Sequence, residues 1–289
     1  MPATLAIVGA GRVGRSLARA LRRRGYRIGA VVTTRLGTAR AAVRFIGAGK
    51  AQTRPDAVVA QADIVLIAAP DGVVAEVARA LARVPRGWRG KVVLHTSGAL
   101  SSRALVPLRR RGAAIGCLHP LYPFPRPVAK LPRGIVFGIE GGGEAGATAT
   151  QLARKLGGRV VRVQAKGKAH YHAAAVMAAG HVLTLLELAR RVLARAGVRS
   201  KDARRTLLPL AEVTLQSYKA RGARAWTGPI ARGDAATVRR HLVALKDLPL
   251  GVRQAYVSLA RAGLHLLGTP GNRSARELRR LLGMRGEVR

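Results

Sequence analysis

The chain has 289 residues, 48% hydrophobic and 22% charged, a globular composition long enough to bury one large core or two smaller ones. Its single cysteine, Cys117, excludes an internal disulfide and points to an intracellular, reducing compartment. The net charge is +39, but the basic residues are spread over outer helix faces (Arg15, Arg19, Arg22 and Arg23 among them) and aromatics make up only 3%, so the charge reads as solvated surface that draws polyanions unspecifically and not as a built nucleic-acid site.

In chain order, the first stretch sets the frame. Leu5–Val8 is a short apolar run fit for a buried parallel strand, and Val13, Leu17, Ala20 and Leu21 continue it with helical period. Between them lies Gly9-Ala10-Gly11-Arg12-Val13-Gly14, with the spacing G-x-G-x-x-G. Such glycines give a tight turn, room for a backbone to touch a pyrophosphate, and close packing of helix on strand, while the helix amino terminus offers free N–H groups to phosphate.

Arg27–Thr33 reads as the second strand. In a dinucleotide-binding fold an acidic residue at its end would accept from the ribose 2′-hydroxyl of NAD, whereas arginine and small hydroxyls suit a 2′-phosphate. Here the residues are Thr33, Thr34 and Arg35, with Arg40 one turn further on and no Asp or Glu between Gly9 and Pro55, so the expected cofactor is NADP. The other reading of Arg35 is one surface arginine among many.

Ile64–Ala69 is the next strand and ends in Ala69-Pro70-Asp71 before a helix over Val73–Leu81. That turn is expected to face the nicotinamide side of the crevice, although Pro70 also suits a plain turn. Lys91–His95 leads into Thr96-Ser97-Gly98-Ala99-Leu100, where Ser97 either meets a substrate or caps the following helix. Ala113–Leu118 is a further strand, after which Pro120, Pro123, Pro125 and Pro127 argue against regular structure. His119 then sits at a strand end, either as a substrate-facing imidazole or as a histidine bonded to backbone. Gly134–Ile139 and Gly158–Val163 are strands flanking the helix Ala145–Leu156.

From Lys166 onward the pattern is helical only, with helices at Ala169–Ala196, Lys201–Arg221, Asp234–Ala244, Leu248–Ala262 and Ser274–Leu282. This divides the chain into residues 1–165, a Rossmann-type α/β domain with a doubly wound parallel sheet, and residues 166–289, an all-α domain. Val176–Leu188 is apolar nearly all round and is expected to be buried as the spine of the second domain. No signal-peptide pattern is present, and the most apolar run, Ala173–Ala189, reads as too short and too polar for a membrane span, so a soluble, cytoplasmic protein is expected.

Hydride transfer needs two carbons placed together, water excluded and a proton moved. Lys168, His170, Tyr171 and His172 stand together at the start of the helical domain, with positions 168 and 172 on one helix face. Lys168 or His172 is the expected general acid, with His119 or Ser97 orienting the substrate; a helix-capping cluster that ties the domains together is the alternative. No Cys, Asp or Glu accompanies His170 and His172, so no metal is expected. Thr227–Asp234 reads as a shaped loop ending in an Asp N-cap, with Arg232 either binding an acidic group across a dimer or serving the loop alone.

The glycine fingerprint, DIVLIAAP, HTSGAL, LHPLYPFP, KAHYHAAAVMAAGH and WTGPIARGDAATVRRHL together resemble the two-domain family catalogued as domain of unknown function 2520, from about Thr4 to Ala262. That family is similar to the pyrroline-carboxylate reductases and to the β-hydroxyacid and 6-phosphogluconate dehydrogenases. The resemblance implies a Rossmann domain, an all-α domain of the 6-phosphogluconate dehydrogenase C-terminal type, NADP-dependent oxidoreductase activity on a small carbonyl, imine or hydroxy acid, and a homodimer formed through the helical domain. A non-catalytic NADP-binding sensor on the same fold is the alternative. The chain departs from the related patterns at Gly180, where an asparagine is looked for, and at His172, four residues after Lys168, where the β-hydroxyacid dehydrogenases carry an asparagine.

Overall fold

The structure, a computed structural model, describes residues 3–85, 87–267 and 273–284. Its contacts divide the chain into two compact units, Met1–Ala179 and Gly180–Arg289.

The first unit is built on an eight-stranded sheet of order β3-β2-β1-β4-β5-β6-β7-β8. Its strands are β1 (Thr4–Val8), β2 (Arg27–Val32), β3 (Lys50–Gln52), β4 (Ile64–Ile67), β5 (Val92–His95), β6 (Ala114–Leu121), β7 (Val136–Glu140) and β8 (Arg159–Arg162). Between them run α1 (Arg12–Arg22), α2 (Leu36–Ile46), α3 (Ala57–Ala60), α4 (Asp71–Ala82), α5 (Val106–Arg109) and α6 (Gly143–Lys155). Alternation along each strand feeds two cores. Leu5, Ile7, Leu66 and Leu94 pack with Leu17, Ile46 and Leu152 on one face. Ala6, Val8, Val65 and Val93 pack with Val59, Val74, Leu81 and Trp88 on the other. A sheet covered on both faces explains why its strands read as continuous apolar runs.

β1 to β6 are parallel, as expected of a doubly wound sheet, whereas β7 lies antiparallel to β6 and carries β8 parallel to itself. The proline-rich stretch is more regular than its composition suggests. β6 runs on through His119 and Pro120 to Leu121, pairing with β7 as far as Leu121↔Val136. β5 pairs only up to His95↔Cys117, so beyond that point β6 has one open edge, where a residue without an N–H is tolerated.

The sheet ends near the expected boundary at 165, but the contacts part later, between Ala179 and Gly180. α7 (Lys168–Val176) therefore belongs with the sheet. A π-helical turn, Met177–His181, joins α7 to α8 (Val182–Arg195). The second unit continues with α9 (Ser200–Arg221), α10 (Pro229–Arg232), α11 (Ala235–Ala244), α12 (Leu250–Leu267) and α13 (Arg273–Leu281). Its small core gathers Ala235, Val238, Ala260, Leu264, Leu278 and Leu282. Asp234 N-caps α11 by accepting from the Thr237 amide at 3.0 Å, as the sequence suggests.

Two expectations for the long helix are corrected. Ala165–Arg195 is helical over 31 residues and holds an 18-residue window of mean hydropathy 1.4, enough by length and composition alone to cross a membrane, so the helix extends well beyond the apolar run Ala173–Ala189. Nor is it buried in the single chain: Met177, Leu183 and Leu185 on it are exposed, as are Leu210, Val213, Leu215 and Tyr218 on α9. An all-round apolar pattern fixes that a helix needs cover, not which chain supplies it.

Candidate functional site

Two groups of residues gather at the carboxyl ends of the strands. The first is the β1–α1 turn. Gly9 has φ +89, and a Cβ there would lie 2.7 Å from the Ala68 carbonyl and the Ala69 amide at the exit of β4. A Cβ on Gly14 would lie 2.3 Å from the Gly9 carbonyl oxygen, so α1 starts flush against the turn. Gly11 differs, because a Cβ there would meet nothing within 4 Å. Two glycines thus serve internal packing and the middle one keeps an outer space clear. Ala10 is buried beneath it, Val13 leans on the core, and Arg12 reaches the Phe124 carbonyl at 3.3 Å. The first turn of α1 carries no acidic residue, and Gly11 provides no side-chain cap, so its leading amides keep their anion-binding capacity.

At the end of β2, the Thr33 hydroxyl donates to the Arg35 carbonyl at 2.8 Å. Thr34 and Arg35 are exposed, and Arg35 joins none of the ion pairs among the described residues. At the end of β4, Pro70 occupies the N-cap of α4 and Asp71 its first turn. An acidic residue there complements the helix dipole, which accounts for Asp71 without a ligand.

The second group lies where β5, β6 and the start of α7 meet. Lys168 is 2% exposed; its Nζ donates to the Ser97 carbonyl at 2.8 Å and to Cys117 Sγ at 3.1 Å. The Cys117 thiol also donates to that carbonyl at 3.1 Å. No carboxylate pairs with Lys168 among the described residues; the nearby Glu140 accepts instead from the Ser102 amide at 2.6 Å and hydroxyl at 2.9 Å. Ser97 Oγ accepts from the amides of Ala99 at 3.1 Å and Leu100 at 2.9 Å, which makes it a turn former and not the cap of the helical turn that starts at Ser102, whose N-cap is Ser101. His119 and His172 stand with ring centroids 6.2 Å apart, and His119 Nδ1 is 2.9 Å from the Tyr171 phenol oxygen.

The structure therefore brings together all four expected residues, Lys168, His172, His119 and Ser97. It gives Lys168 a buried post instead of a face toward a substrate. Sequence reasoning named Tyr171 in its cluster without giving it a role, and did not count His95 or Cys117 among the site residues. The signal for Cys117 was its place two residues before His119 on one strand, which puts both on one face. His95 is fully buried and its Nδ1 accepts from the Ser97 amide at 3.2 Å.

The electrostatics follow from burial beside one ammonium group. Burial, then the Lys168 charge, push His95 down to about 4. Burial, then Lys168 and the two neighbouring histidines, push His119 down to about 4 as well. Burial raises the Cys117 thiol to about 11 against the opposing pull of Lys168. Burial raises Tyr171 to about 12. At neutral pH His95 and His119 are neutral imidazoles beside a neutral thiol and a neutral phenol.

Two family models divide the sequence between them: a Rossmann-like domain over residues 2–120, and domain of unknown function 2520 over residues 135–262. The chain carries domain 2520 behind a Rossmann-like domain. This bears out the resemblance drawn from the motifs. No curated protein matches the sequence. Among solved structures, a proposed NADP oxidoreductase from Bacteroides fragilis is similar at 23% identity, TM-score 0.72, covering 91% of this chain and 98% of its own. A reductive aminase from Aspergillus terreus in complex with NADPH and ethyl-5-oxohexanoate is similar at 16% identity, TM-score 0.68, covering 97% of this chain and 100% of its own. An imine reductase from Myxococcus stipitatus in complex with NADP+ is similar at 16% identity, TM-score 0.65, covering 91% and 94%. At these identities the likeness is one of fold.

His95 gives the site a pH signature. Its folded value, about 4, lies below the ordinary 6.5, so the unfolded chain binds the extra proton first. The stability due to neutral His95 is present above pH 6.5 and is lost as pH falls toward 4. Chemical denaturation between pH 7 and 4 is expected to show falling stability, and His95→Phe to flatten that slope by up to about 1.4 kcal/mol per pH unit. An unchanged slope in the variant places the titration elsewhere.

Proposed function

We propose that the protein is an NADP(H)-dependent oxidoreductase acting on a small carbonyl, imine or hydroxy acid. The observation that carries this reading is the cleared space over Gly11, between two glycines consumed by packing. The residues fit the cofactor: Gly9 to Gly14 and the start of α1 would hold the pyrophosphate, and Thr33, Thr34 and Arg35 the 2′-phosphate. Ala69, Pro70 and Asp71 close the β4 exit, where the Rossmann fold places the rest of the dinucleotide. NADP(H), when bound there, would supply or accept the hydride.

The protein's own share is orientation, water exclusion and proton handling. His119 and His172 are the half-buried imidazoles of the group and are the ones offered to a substrate. Lys168, sealed under the Ser97 turn, acts through its charge on His119. This replaces the expectation that Lys168 is the general acid. A sensor that binds NADPH without oxidising it is the second reading, favoured by Lys168 and Ser97 both being engaged in internal hydrogen bonds.

The exposed apolar faces of α8 and α9 support a homodimer, in which a second copy covers Leu183, Leu210, Leu215 and Tyr218. A soluble, cytoplasmic dimer is the corresponding proposal for location.

Three measurements check these readings. NADPH fluorescence titration in about 0.3 M salt, which suppresses loose ion pairing, is expected to show NADPH bound and NADH bound much more weakly; Gly11→Val, which fills the cleared space, abolishes binding without lowering the melting temperature. Arg35→Ala is expected to narrow the NADPH-over-NADH preference about tenfold, the loss of one charge-assisted phosphate contact. Sedimentation velocity is expected to give a dimer, and Leu210→Glu with Leu215→Glu a folded monomer. A wild-type monomer, or sedimentation with lipid vesicles, overturns the proposed pairing.

A further inference from the structure

The chemistry assigned above leaves Tyr171 without a task, yet the structure makes room for it at two places. His119 and Gly138 face each other across the β6–β7 pair. A Cβ on Gly138 would lie 2.3 Å from the Tyr171 phenol oxygen, so only glycine lets the phenol settle there. The phenol oxygen is then 2.9 Å from His119 Nδ1, with the two rings edge to face at 5.5 Å and 87°. On the other side, a Cβ on Gly98 would lie 2.9 Å from His119 Cε1 and Nε2 and 2.6 Å from His172 Cδ2. The imidazole is held between two glycines, Nδ1 toward Tyr171 and Nε2 along Gly98. Nε2 has no protein partner among the described residues and, unlike His95 Nε2, is not a sealed atom.

A neutral imidazole carries one proton, and the hydrogen bond at one nitrogen decides which nitrogen holds it. Tyr171 stays protonated at neutral pH; its phenol oxygen accepts from the Gly138 backbone amide and faces His119 Nδ1, the acceptor left for the phenol proton. The phenol donates, Nδ1 accepts, and the ring proton is left on Nε2. We propose that Tyr171 is a positioning residue that holds His119 as the Nε2–H tautomer, and that this N–H donates to the carbonyl oxygen or imine nitrogen of the substrate. The proposal rests on the oxidoreductase reading above and deepens it.

A neutral imidazole is suited to that task, because a fixed N–H can polarise a carbonyl without the cost of a buried second cation. Burial and Lys168 together keep the ring neutral. The arrangement also selects among substrates. The reacting atom must have a lone pair to accept from Nε2–H, so carbonyls and unprotonated imines fit. An iminium cation has none to offer and is repelled by the Lys168 ammonium.

The test is ring nitrogen-15 NMR of the labelled protein at pH 7, with the His119 signals assigned from His119→Gln. The expected wild-type pattern is a protonated Nε2 and a bare Nδ1. Tyr171→Phe is expected to convert His119 to a tautomer mixture and to lower kcat about tenfold or more on a carbonyl substrate, with KM little changed. NADPH affinity should stay intact, since Tyr171 lies outside the cofactor turn. A wild-type Nδ1–H or mixed pattern, or a Tyr171→Phe spectrum unchanged at His119, overturns the proposal. Should Tyr171→Phe fail to fold, Gly138→Ala, which displaces the phenol, must produce the same mixture. The tautomer is read without cofactor, so a protein that shows it but binds no NADPH sinks the oxidoreductase reading alone.

Discussion

The arrangement of the site depends on one buried ammonium group. Lys168, 2% exposed, ties the first residue of α7 to the turn after β5 through the Ser97 carbonyl and to β6 through Cys117. A buried charge without a carboxylate partner is costly, and it persists only where polar atoms are fixed around it. Here a carbonyl and a sulfur meet it, and three segments far apart in sequence are pinned at one point. Burial, and after it this charge, keep His95 and His119 neutral. A residue whose spacing suggested direct chemistry is instead sealed among the groups around it.

Glycines do the complementary work, and they do it in different ways. Gly9 and Gly14 are occupied by the backbone of their own turn, while Gly11 faces open space. Gly98 and Gly138 are occupied by side chains, an imidazole on one and a phenol on the other. Glycine therefore marks both where outer space is left clear and where side-chain rings are seated. The two uses look identical in a sequence and are distinguished only by what each missing Cβ would touch.

The helical unit poses a different problem. Its own core is small, built from Ala235, Val238, Leu264 and their neighbours, while α8 and α9 leave apolar side chains uncovered. In the proposed homodimer two copies of net charge +39 would be drawn together by apolar area and not by electrostatics.

Much of this was legible beforehand, because it is local. The strand–turn–helix of Leu5–Leu21, the glycine spacing, the basic end of β2, the change to helices near residue 166 and the N-cap at Asp234 all depend on neighbours a few residues apart. Backbone propensity and period write such features directly into the chain. What tertiary structure decided are the contacts between distant segments. Ser97 and Lys168 are 71 residues apart, and His119 and Tyr171 are 52 apart. Whether Lys168 faces a substrate or a carbonyl, whether Pro120 lies in a loop or on an open strand edge, and whether the long helix is covered are questions of burial. Burial is fixed by packing across the whole fold, and side-chain type sets only what it costs.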